Sequence, residues 1–90
     1  MKISEINIFP ITPRDGLLGF CNFIYNDEFY MGGIGVYSRP EGGIRLTYPY
    51  KKGDHTNIPL YYPINKEVGD YILKKVEEKY QEVIEKAYLS

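Results

Sequence analysis

The chain changes its hydrophobic period once, at Pro63, and no other feature constrains its fold as tightly. Beyond that proline, Val68, Ile72, Val76, Tyr80, Val83 and Ala87 recur at steps of three or four, the spacing that gathers side chains on one face of an α-helix. Ahead of it, Ile, Phe, Tyr and Val are dense and are broken at short intervals by Gly, Pro and Asn clusters, the pattern of short antiparallel strands. Strands first and one helix last make an α+β chain: an antiparallel sheet of about five strands followed by one long C-terminal helix lying across it. In 90 residues there is room for one core, so residues 1–90 read as a single domain. A chain this short buries a modest share of its surface, which favours a second copy, and the domain is expected to dimerise through its sheet.

The expected strands are about Lys2–Ile11, ended by Pro10 and Pro13, then Leu17–Tyr25, Phe29–Tyr37, Ile44–Pro49 and Ile58–Tyr62. In the second, Leu18, Phe20, Asn22 and Ile24 take one face and Leu17, Gly19, Cys21, Phe23 and Tyr25 the other. Both faces are largely apolar, which suits a central strand with a helix on one side and more protein, such as another subunit, on the other. Asn26-Asp27-Glu28 is a link of hairpin length, and Ile34 and Val36 share the better packing face of the third strand. Gly32, Gly33 and Gly35 are costly within a strand and mark a bulge or the close approach of a bulky neighbour. Lys51–Asn57 reads as a polar loop. In the helix, Asn65 is the expected N-cap, Glu67 suits the first turn, and Asp70 with Lys74 and Glu82 with Lys86 are spaced as ion pairs.

Charge excludes more than it selects. With 11 Lys and Arg against 12 Asp and Glu, the net charge is -1, and the overall field does not attract a polyanion. The distribution is uneven, however, and only residues 39–55 are net positive, with Arg39, Arg45, Lys51 and Lys52 against Glu41 and Asp54. Cys21 is the single cysteine and has no disulfide partner within the chain, and Met1-Lys2-Ile3-Ser4-Glu5 lacks the apolar run of a signal peptide. Nothing approaches the ~18 consecutive apolar residues of a membrane span. A cytoplasmic protein without membrane contact is expected.

Catalysis needs converging groups, and the inventory is thin. His55, the only histidine, lies in the polar loop, far in sequence from Cys21, which reads as a buried inert thiol. One Cys and one His do not make metal-site spacing, so no cofactor is expected. Gly32-Gly33-Ile34-Gly35 lacks the third spaced glycine and the following helix of a phosphate-cradling loop, and Asp27-Glu28 reads as a solvated turn. The positive segment is more informative. Arg45-Leu46-Thr47-Tyr48-Pro49-Tyr50-Lys51-Lys52 interleaves cations with rings, a combination that contacts phosphate while a ring packs on sugar or base. The same Lys-Lys-Gly-Asp run is also an ordinary solvated hairpin tip. Lys66, at the start of the helix, adds to the cationic surface if the helix begins near the loop.

Several of these elements occur in an order and spacing that resembles the SpoVG family, the stage V sporulation and septation regulators. The residues that carry it are Ile3 and Ile6-Asn7-Ile8, Gly16-Leu17-Leu18-Gly19, Tyr25-Asn26-Asp27-Glu28-Phe29, Ile34-Gly35-Val36, Gly43, Leu46, Tyr48-Pro49-Tyr50-Lys51-Lys52 and Tyr62-Pro63-Ile64-Asn65. The resemblance runs from about Ile3 to Tyr88. It implies a homodimeric bacterial protein, a curved antiparallel sheet with a C-terminal helix, that binds DNA, and in some members RNA, and affects septation, sporulation and gene expression. It implies a binder, not an enzyme, with no small-molecule substrate. Carried over, the family's basic stretch falls on Lys51 and Lys52 and the start of its helix on Asn65 and Lys66. The expected nucleic-acid contacts are therefore Arg45, Lys51, Lys52 and Lys66 to phosphate, with Tyr50 stacking. The alternative is a protein-interaction module of the division or sporulation machinery without nucleic-acid affinity of its own.

Overall fold

The structure, a computed structural model, describes residues 1–89; Ser90, the last residue of the expected domain, lies outside it. Strands β1 (Ile3–Arg14), β2 (Leu17–Tyr25), β3 (Phe29–Ser38) and β4 (Ile44–Thr47) form one antiparallel sheet in the order β1-β2-β3-β4. Strands β5 (Tyr50–Lys52) and β6 (Asn57–Pro59) form a separate two-stranded ribbon, and helix α1 (Lys66–Leu89) follows. The α+β class is as expected, but the strands divide as four and two rather than about five in one sheet. Pro49 has no N–H to offer a ladder, so pairing with β3 stops at Thr47 and the chain leaves the sheet there. Residues 51–57, expected as a loop, instead hold the inner ends of both limbs of the ribbon and its tip, with Gly53 N–H donating to the Thr56 carbonyl at 2.8 Å across it.

Strand β1 runs on through Pro10 and Pro13 to Arg14, past the end expected for it. It lies at the edge of the sheet, where one side of the backbone has no ladder to maintain and proline is tolerated. The first two hairpins turn on left-handed pairs. Asp15 and Gly16 (φ 52° and 87°) join β1 to β2, and Asn26 and Asp27 (φ 53° and 56°) join β2 to β3, with the Glu28 N–H donating to the Tyr25 carbonyl at 3.0 Å. That turn geometry matches the twist of the strands it connects. Gly33 (φ 69°) lies in a bulge where Met31 to Ile34 of β3 oppose Phe23 to Cys21 of β2.

One face of the sheet is sealed by the helix. Cys21, Phe23, Ile34, Val36 and Ile44 from the strands meet Ile72 and Val76 from α1, all of them buried. Each of the Phe, Ile and Val side chains among them, fully withdrawn from water, stabilises the fold by ~1.5–3 kcal/mol. α1 touches both edge strands, β1 and β4, so it spans this face. Asn65 caps it as expected, its Oδ1 accepting the Val68 N–H at 3.2 Å. Glu77 Oε2 accepts the N–H of Ile44 at 3.0 Å and so ties the helix to the start of β4. Glu82 pairs with Lys86 at 3.4 Å, whereas Asp70 turns to Lys66 at 3.2 Å rather than to Lys74. No helix among the described residues is long and apolar enough to cross a membrane.

Candidate nucleic-acid interface

Strand pairing decides what the other face displays. Opposed residues share a face, and the register links Phe9 of β1 to Phe20 of β2, Phe20 to Gly35 of β3, and Gly35 to Thr47 of β4. One step along each strand, Ile8, Cys21 and Ile34 form the matching row beneath the helix. Phe9 is 52% and Phe20 43% exposed, so two paired phenyl rings stand in solvent on the face the helix leaves open. In the next row Tyr37 is paired with Arg45, whose guanidinium carbon lies 4.6 Å from the centre of the Tyr37 ring. Gly35 is what lets this ring lie down: a Cβ there would meet Tyr37 Cε2 at 3.1 Å.

A cleft of about 280 Å³ opens beside this stack, lined by Phe20, Gly33, Gly35, Tyr37, Thr47, Tyr48, Pro49 and Tyr50. Tyr50 is 52% exposed and begins the ribbon, paired with Pro59; Lys51 and Lys52 follow it, paired with Ile58 and Asn57. Both lysines are exposed and have no carboxylate partner among the described residues. Arg45 likewise has no acidic partner there; its Nη1 donates to Thr47 Oγ1 at 3.4 Å. Of the five expected contacts, Tyr50 lines the cleft and Lys51 and Lys52 follow it along the ribbon, while Arg45 is linked to the cleft through Tyr37, the lining ring on which its guanidinium stacks. Lys66 is placed elsewhere. It starts the helix on the far side of the sheet, and its charge is offset by Asp70 at 3.2 Å.

Sequence reasoning missed Phe9 and the Tyr37–Arg45 stack. The signal for them is register, since the face of Tyr37 and its opposition to Arg45 follow only once the turns and bulges fix which residues pair. It also missed a second cleft, of about 270 Å³, between the start of α1 and the sheet, lined by Phe23, Tyr25, Met31, Tyr48, Tyr61 and Ile72 among others. The Tyr48 hydroxyl is buried without a hydrogen-bond partner among the described residues, and burial, with smaller contributions from Cys21 and Tyr61, pushes its pKa up to about 12. Tyr61 meets the Tyr48 ring edge-on at 6.0 Å and donates its hydroxyl to the Gly32 carbonyl. Its pKa is also raised, first by burial and then by Cys21, against the lowering effect of that hydrogen bond. Burial pushes the Cys21 thiol up to about 12, so at neutral pH it is a protonated core side chain.

No group of His, Cys, Asp and Glu suited to a metal ion occurs among the described residues. No family model matches the chain, and neither a curated protein nor a solved structure is significantly similar to it.

Proposed function

We propose that this protein is a homodimeric, cytoplasmic nucleic-acid-binding regulator of the SpoVG kind, a binder of DNA or RNA that acts on septation, sporulation and gene expression without catalysis of its own. The observation that carries this is the pair of lysines, Lys51 and Lys52, without a carboxylate partner among the described residues, on an exposed ribbon that begins at Tyr50. A chain of net charge -1 has no global attraction for a polyanion, so the cations left without carboxylates are the ones available to phosphate. A symmetric dimer presents two such ribbons and doubles the number of contacts. The test is a titration of labelled nucleic acid at two salt concentrations. Binding at low salt that weakens as salt rises, and drops when Lys51→Ala and Lys52→Ala are combined, supports the proposal; no binding at low salt defeats it.

A second function, protein capture, is favoured by a different surface. Leu60, Tyr62 and Ile64 are 62%, 55% and 91% exposed along the segment between the ribbon and the helix, a run of apolar side chains suited to a partner protein. On that alternative, partners resist added salt and survive nuclease treatment.

A further inference from the structure

Resting on the nucleic-acid function proposed above, we infer that the strand recognised is single: an unpaired base seats in the cleft among Phe20, Tyr37, Pro49 and Tyr50, on the sheet face that the helix leaves bare. Three observations converge on this.

The first is where the rings are. Phe9 and Phe20 are directly paired across β1 and β2, both about half exposed, and Tyr37 and Tyr50 extend the aromatic surface past Gly35 towards the ribbon. Scattered single hydrophobics on a surface are ordinary, but a contiguous row across a sheet marks a contact surface. Aromatic side chains stack on bases only when the base faces are free, and in a duplex those faces are already covered by neighbouring base pairs.

The second is size. At about 280 Å³ the cleft lies at the lower limit for small-molecule pockets and holds a ring rather than a folded peptide or a large cofactor. Glycines at 33 and 35 leave its floor without side chains, while Phe20 and Tyr50 stand at its margins, both about half exposed.

The third is charge. Arg39, Lys66, Lys79 and Lys86 are each paired with a carboxylate, whereas Arg45, Lys51 and Lys52 are not. Arg14 and Lys74 also lack a carboxylate partner among the described residues, but three of these five free cations adjoin the rings: Arg45 is stacked on Tyr37, and Lys51 and Lys52 follow Tyr50 along the ribbon. Arg45 serves both needs, since its guanidinium is stacked on Tyr37 and still has donors to offer a phosphate. An anionic backbone joined to flat, unpaired rings complements both halves of this surface.

Fluorescence anisotropy of the full chain with labelled oligothymidylate, and with the oligothymidylate–oligoadenylate duplex of equal length at the same low salt, tests the inference. The single strand should bind at least tenfold tighter. Phe20→Ala and Tyr50→Ala, each checked for an unchanged thermal melt, should each weaken single-strand binding by roughly 5- to 100-fold, the range for losing one stacked base, and leave duplex binding within twofold. Duplex binding equal to or tighter than single-strand binding overturns the inference and leaves the proposed function standing. Failure of both probes to bind takes the function down as well. If Phe20→Ala lowers the sedimenting mass with no loss of affinity, the face is a contact between copies of the chain and the base site is refuted.

Discussion

The two faces of the main sheet are built from alternate residues of the same strands, yet they have opposite fates. Ile8, Cys21 and Ile34 form a row beneath the helix, with Cys21 1% and Ile34 0% exposed; one residue along, Phe9 and Phe20 form a row that is about half in solvent. Both rows are hydrophobic. What separates them is that α1 supplies Ile72 and Val76 to one and nothing to the other. Apolar side chains kept on the bare face contribute little to folding in the lone chain, which is the physical reason to look there for a ligand.

The sharpest way to break this comparison is to truncate one residue from each row. Ile34→Ala should cost ~2–5 kcal/mol by urea denaturation, since it opens a cavity under the helix, while Phe20→Ala should cost less than about 1 kcal/mol. Equal losses would mean that the bare face is part of the core after all. A smaller effect is expected at the tie between helix and sheet. Glu77→Ala leaves the Ile44 N–H without its acceptor and should cost about 1–2 kcal/mol, whereas Glu77→Gln, which keeps an acceptor oxygen, should recover much of it.

Smallest at neutral pH, but diagnostic, is the alkaline response of the covered face. Cys21 and Tyr48 have folded pKa values raised to about 12 from ordinary values of 9.0 and 10.0, so the unfolded chain releases their protons first. Stability from these groups is complete below pH 9 and is lost as the pH climbs from there towards 12. Thermal melts should be level up to pH 9 and decline above it, and Cys21→Ala should delay the onset towards pH 10, where Tyr48 and Tyr61 remain. A wild-type midpoint that stays flat to pH 11 would contradict the burial of both groups.

Much of this architecture was legible from residue order because local chemistry and burial agree. Leu17–Tyr25 begins and ends at turns made by residues that tolerate left-handed backbone, and its burial alternates in step with its sequence. Asn65 caps the helix because a short acceptor side chain precedes the first helical turn. The ribbon was not legible, because Tyr50–Lys52 and Asn57–Pro59 are exposed throughout and leave no alternating pattern to read. The extension of β1 through two prolines was hidden for a related reason, since only its position at the sheet edge makes them permissible. For the candidate site, the cations and Tyr50 were visible as composition. The platform beside them was not, because Phe9, Phe20, Tyr37 and Arg45 come from four strands and meet only through register.

The central claim is that cations without carboxylate partners, next to exposed rings, hold a polyanion that the net charge of the chain does not attract. The slope of log affinity against log salt tests it most directly, measured for the wild-type chain and for Lys51→Ala combined with Lys52→Ala. The account predicts a negative slope whose magnitude falls by about 0.7 for each lysine–phosphate contact removed from a single strand. An identical slope in both proteins, or binding indifferent to salt, would contradict it.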